Sequence, residues 1–156
     1  MFEALPLVVD PPGDLAIATD AADRAAGHWR LPQPELVRFG ANAVFVTNQV
    51  VLRVSRPTAP MSLALELAER LARAGVRVAT LARPDVFHAG DGLEVTAWQR
   101  IEHNPSLPVD WQRVGAMVAI VHSIDPTNIA HPLPFCGDFP WWNFEVMLGE
   151  ADDVDT

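Results

Sequence analysis

Three short runs rich in apolar and β-branched residues stand close together in the first third of the chain, at residues 35–39, 43–48 and 50–55. The turns between them are Gly40-Ala41-Asn42 and Asn48-Gln49. Each is far too short for a crossover helix, so the three strands must pair antiparallel. A different period follows. Leu63, Leu67, Leu71 and Ala74 recur at helical spacing, which predicts a helix over Ser62–Ala74, with Gly75 as the C′ residue that stops it. A strand is expected at Arg77–Leu81. Val86-Phe87-His88 and Leu93–Trp98 flank Ala89-Gly90-Asp91-Gly92, a hairpin signature.

Further on, Asp110 can cap a helix from Trp111 to about Ser123, with Trp111, Val114, Val118 and Val121 on one stripe and Met117 beside it. Upstream, alanines support a short helix over Asp20–His28. Residues 1–18, with Pro6, Pro11, Pro12 and Gly13, read as a loosely structured start. Beyond Asp125-Pro126 the pattern predicts no element. The order is three strands, a helix, two or three strands, a helix. That order indicates an α+β fold, an antiparallel five-stranded sheet with packed helices. Three regions follow: an extension with a short helix (1–33), the sheet and its helix (34–104), and a helix with an aromatic and acidic C-terminal segment (105–156).

Composition narrows the function classes. The 156 residues are 49% hydrophobic, enough to fill the core of one domain or a compact pair of subdomains. Twenty acidic residues against eleven basic ones give a net charge of −9, which argues against a broad nucleic-acid surface. Glu145, Glu150, Asp152, Asp153 and Asp155 crowd the last fourteen residues, and without them the charge is −4. A local basic pocket is compatible with that balance. The single cysteine, Cys136, excludes an intrachain disulfide and a multi-cysteine metal site. The chain carries neither a signal-peptide pattern nor an eighteen-residue apolar run, so the expectation is a soluble, cytoplasmic protein without a membrane partner.

The most specific chemical signal is Arg53. It interrupts the apolar run Val50-Val51-Leu52-Arg53-Val54. An unpaired guanidinium inside a strand is costly to bury, so it calls for a phosphate, a carboxylate or solvent on one face of the hairpin. Gly40 and Asn42 suit a tight turn that brings backbone N–H groups near a phosphate, or they form an ordinary hairpin turn. Neither a GxGxxG set nor a P-loop is present. His28, His88, His103, His122 and His131 show no metal-binding spacing.

Taken in order, these pieces resemble the N-terminal lobe of the aminoglycoside phosphotransferase and choline kinase-like family, small-molecule kinases of protein kinase-like fold. The matching pieces are FGANAVFV as the nucleotide loop, VVLRVSRP as the third strand, and LALELAERLARAGVRV as the lobe's helix and the strand after it. LEVTAWQRIE then matches the hinge strand, and WQRVGAMVAIVHSID the first helix of the next subdomain. The resemblance spans roughly residues 34–126. It implies that ATP is the ligand, with adenine against Thr96–Glu102, where Trp98 and Gln99 lie. Trp98 is a wall of that pocket or a strand tryptophan of the core. The resemblance places phosphates at Arg53 and under Gly40 and Asn42. It makes Glu66 the helix partner of Arg53, with Glu69 as the rival. His122 is expected to be structural.

The family's chemistry comes from a second lobe, with a His-Gly-Asp loop, an Asn five residues after that Asp, and a further metal-binding Asp. Here Cys136-Gly137-Asp138-Phe139-Pro140-Trp141-Trp142-Asn143 imitates the loop, with Cys where His is usual. Asp138 is thus a weak candidate base and Asn143 a weak candidate metal ligand. The loop lies only sixteen residues after His122, where the family inserts several helices. The expectation is therefore a truncated, ATP-binding lobe with little or no phosphotransferase activity alone, and Mg2+ only if a catalytic lobe is supplied. Two alternatives stand beside it. One is a small phosphotransferase acting on a small-molecule hydroxyl through Asp138 and Asn143. The other is a non-catalytic interaction module that self-associates or binds a partner protein through residues 135–144.

Overall fold

The computed structural model describes residues 12–57, 59–102 and 106–130. Asp138, Asn143 and the aromatic segment 135–144 lie outside the described residues. Five strands form one antiparallel sheet: β1 Glu35–Phe39, β2 Ala43–Thr47, β3 Val50–Ser55, β4 Phe87–Gly90 and β5 Leu93–Gln99. Their spatial order is β1-β2-β3-β5-β4. Three helices accompany them: α1 Leu15–His28, α2 Met61–Arg73 and α3 Trp111–Ser123, followed by a single 3-10 turn at Pro126–Asn128. The α+β class and the antiparallel five-stranded sheet agree with the sequence pattern. No helix among the described residues is long and apolar enough to cross a membrane.

The strand period of two separates the sheet's faces. Ala43 and Phe45 of β2, Leu52 and Val54 of β3, and Leu93, Val95 and Ala97 of β5 point one way, and all are buried. Helix α1 covers that face. Its Ala18, Ala21, Ala22, Ala25 and Ala26 are buried as well, so the helix presents a stripe without side-chain bulk and sits close on the strands. Burying Phe45, Leu52, Val54 and Val95 contributes about 1.5–3 kcal/mol each. The Asp14 carboxylate accepts from the Ile17 N–H at 2.9 Å and caps α1. The helix thus starts five residues before the expected Asp20. At its other end the Trp29 indole N–H donates to Asp85 at 2.9 Å, and Trp29 packs edge-on against Phe87.

The opposite face carries Val44, Val51, Arg53, Glu94, Thr96 and Trp98, and α2 lies over it. Leu63, Leu67 and Leu71 of α2 form the stripe toward the sheet, and Leu63 is buried. The helix stops as its sequence demands. Gly75 takes φ +87°, its N–H bonds the Ala72 carbonyl at 3.0 Å, and Val76 N–H bonds the Leu71 carbonyl at 2.9 Å. Those paired bonds are the Schellman closure.

One further expectation requires correction. Arg77–Leu81 is not a strand. It touches β5 through the Leu81–Trp98 bridge, with Gln99 N–H to the Thr80 carbonyl and Ala82 N–H to the Ala97 carbonyl, both 2.8 Å. Running back from that bridge toward Arg77 the ladder has no partner, because β5 ends at Gln99 and the Arg100 N–H is given to the Gln49 carbonyl. Helix α3 forms where it was expected. Its boundaries match, and Asp110 caps it through Arg113 N–H at 3.0 Å. Yet its apolar stripe is not buried among the described residues: Trp111 is 74% exposed and Val118 50%.

Candidate functional site: a cleft between the sheet and its second helix

Between the open face of the sheet and α2 lie two adjoining cavities, of about 220 and about 570 Å³. They share Arg53, Ala64, Leu67 and Trp98. The larger one runs toward the end of β5 and is walled by Val44, Val51, Leu71 and Ile101. The smaller one runs toward Arg56, Glu94 and the start of α2. Apolar strand residues and leucines of α2 make the walls, and one guanidinium stands where the cavities meet.

Arg53 reaches that position because β3 alternates. Leu52 and Val54 go to the α1 face, and Arg53 goes to the cleft. Its Nη2 donates to Asn42 Oδ1 at 3.1 Å, so the turn residue and the strand residue are joined. Arg53 keeps access to solvent but is crowded enough to be partly desolvated. That desolvation, then repulsion from the Arg38 guanidinium, hold its pKa below the ordinary arginine value. Arginine stays a cation through such shifts. Among the described residues Arg53 makes no ion pair with a carboxylate.

The expected Arg53–Glu66 pair is not formed. Glu66 Oε1 lies 2.8 Å from Nη2 and 3.1 Å from Nε of Arg70, one helical turn on. Its Oε2 also accepts from the Ala130 N–H at 3.1 Å. A partner at i+4 on the same helix competes better than a residue across a cleft, because no chain has to be brought to it. Glu69 is occupied likewise by Arg73, at 3.7 Å. Glu66 therefore ties α2 to the chain after α3 instead of holding the strand arginine.

Trp98 is half-buried, and its ring borders both cavities. Its indole N–H donates to Thr96 Oγ1 at 2.8 Å, which fixes the ring's orientation. The backbone after it is already committed. Gln99 N–H bonds the Thr80 carbonyl and Arg100 N–H bonds the Gln49 carbonyl, both at 2.8 Å. Those two amides are used within the fold and do not face the cleft as free donors. Gly40 differs from expectation in a similar way. Its N–H closes the turn onto the Asn42 carbonyl at 3.1 Å, its φ is not left-handed, and a Cβ there would meet nothing within 4 Å.

The sequence reading missed Arg38. It lies opposite Val44 in the β1–β2 ladder, and Val44 lies opposite Arg53 in the β2–β3 ladder. Direct cross-strand partners share a face, so Arg38, Val44 and Arg53 form a row across three strands of the open face. Counting outward from the two turns would have found it. Among the described residues no cluster of His, Cys, Asp and Glu could hold a metal ion. Glu94, the carboxylate beside the smaller cavity, is bonded to His88 at 3.3 Å. No protein-family profile, curated protein or solved structure matches the chain.

Proposed function

We propose that the cleft between β2, β3, β5 and α2 binds a purine nucleotide, in the manner of the kinase-like lobe that the sequence resembles. The observation that carries this reading is Arg53, a strand guanidinium with no carboxylate partner among the described residues, set at the junction of two cavities with apolar walls. A flat apolar group fits the larger cavity against Val44, Val51 and Trp98. A phosphate at Arg53 supplies the counter-charge that no described carboxylate provides. Asn42 holds Arg53 in place from the turn above it. These residues are suited to binding: no described carboxylate stands in the cleft free to take a proton from an acceptor hydroxyl. Little or no phosphotransferase activity is expected of these residues alone.

Isothermal titration of the full chain with ATP, with and without Mg2+, tests the reading. Binding is expected in the micromolar-to-millimolar range, and Arg53→Glu should abolish it. Absence of heat and of any thermal shift with every purine nucleotide would overturn it.

A further inference from the structure

The row across the open face places a second cation beside Arg53. Arg38 on β1 and Arg53 on β3 both oppose Val44 on β2. Two strand spacings separate their backbones, on the order of 10 Å. Two long side chains rising from the same face at that separation can close on one group lying over Val44. Arg38 is exposed, and among the described residues it has no ion pair. Adjacent like charges on a sheet are normally avoided or interleaved with carboxylates, because they repel. Here the repulsion is felt at Arg53, and among the described residues neither arginine is paired with a carboxylate. Glu35, the one acidic residue of β1, β2 and β3, shares this face through its partner Val46, one pair further along the ladder, and forms no ion pair with Arg38 or Arg53. The chain as a whole is strongly acidic, so this pair of arginines stands against the global balance.

We infer that Arg38 and Arg53 together form a two-cation cradle for an oligophosphate, Arg53 on one flank and Arg38 on the other, with Asn42 fixing the inner guanidinium. Guanidinium forks suit phosphate oxygens, which they can bond in pairs. Val44 between them leaves room above the sheet, because its side chain is short. An oligophosphate is the ligand of choice over a single carboxylate, since its several charged oxygens can reach both flanks at once. The inference rests on the nucleotide reading for the purine, but the cradle itself binds phosphate.

Full-length protein is titrated with ATP, adenosine and inorganic tripolyphosphate, at two salt concentrations, for the native chain, Arg38→Gln, Arg38→Lys and Arg53→Gln. Thermal melts confirm that each variant folds; Arg38→Lys serves if the Gln variant does not. Arg38→Gln is expected to weaken tripolyphosphate and ATP about tenfold or more and to leave adenosine unchanged. Arg38→Lys should recover part of that loss. The salt dependence of tripolyphosphate binding should become shallower by about one counterion. If Arg38→Gln binds ATP and tripolyphosphate as the native chain does while Arg53→Gln loses both, the cradle is overturned and the nucleotide reading stands. If tripolyphosphate binds through both arginines but ATP binds no better and adenosine not at all, the cradle stands and the nucleotide reading falls. If no phosphate ligand binds, the cradle is overturned.

Discussion

The two faces of the sheet are built to opposite rules. Toward α1, Ala43, Phe45, Leu52, Val54, Leu93, Val95 and Ala97 are all buried, and the helix meets them with alanines so small that backbone approaches backbone. Toward α2, the same strands present Val44, Val51, Arg53 and Trp98 to a cleft with about 570 Å³ of open space beside them. One face uses its apolar surface to stabilise the fold. The other leaves part of that surface uncovered and sets a solvent-accessible arginine in it, so its apolar area contributes less to stability. Stability and the proposed binding are thus divided by the two-residue period of single strands.

Neighbouring residues of β3 test this division most directly. Leu52 is 0% exposed on the α1 face, and Leu52→Ala should cost about 2–5 kcal/mol in denaturant unfolding, because the closely seated helix cannot collapse into the void. Val51, one residue earlier, borders the cleft. Val51→Ala should cost about 1 kcal/mol or less, since the removed methyl groups leave a space that is already open. It should also weaken purine binding, which Leu52→Ala should not do in the fraction that stays folded. Equal stability losses at the two positions would break the comparison.

Overpacking gives a smaller effect of the same kind. Ala22 is buried at the centre of the α1 stripe. Ala22→Leu should destabilise by about 1–3 kcal/mol, because the helix must be pushed off the sheet to admit the side chain. The matching change on the cleft side, Ala64→Leu in α2, should be tolerated by the fold and should fill the junction of the cavities. Its thermal melt should be near that of the native chain. A large loss of stability for Ala64→Leu would show that the cleft is packed more tightly than its volume implies.

How far the sequence revealed these features depends on what each residue's neighbours are. The strands β1 to β3 were legible to within a residue, since short polar turns and β-branched runs leave few alternatives. The start of α1 was not. Leu15 and Ile17 point to solvent while the alanines go inward, so the helix inverts the usual contrast that periodicity depends on. Arg77–Leu81 has strand-like composition but only one bridge, because strand formation needs a partner edge long enough to continue. In the site, Arg53 and Trp98 were legible from their strands. The fate of Glu66 was not, since its choice between Arg53 and Arg70 is decided by distances across the cleft. Arg38 could have been found by counting register from the turns. The exposed stripe of α3 shows the reverse case. Its helical period is clear, while what would cover it lies beyond local pattern.

The smallest expected effect concerns the rim of the closed face. Asp85 accepts from the Trp29 indole at 2.9 Å and faces the His28 ring at 3.3 Å, fastening the end of α1 to the segment before β4. The hydrogen bond from Trp29 leads in holding its carboxyl below the usual aspartate value, with smaller help from its own backbone N–H and from His28, against a partial desolvation that acts the other way. A carboxylate whose pKa is depressed in the folded state contributes stability above the unfolded value, about 3.9, and loses it as pH falls through the lower folded value. Asp85→Asn keeps an acceptor for the indole but removes the charge. The native chain should therefore melt higher than Asp85→Asn at pH 6, and the gap should close as pH is lowered from about 4. Asp125, depressed by the Thr127 N–H and hydroxyl, contributes to the same acid limb in both proteins and cancels in the difference. A gap that stays constant down to pH 2 would assign the effect of Asp85 to its shape and not to its charge.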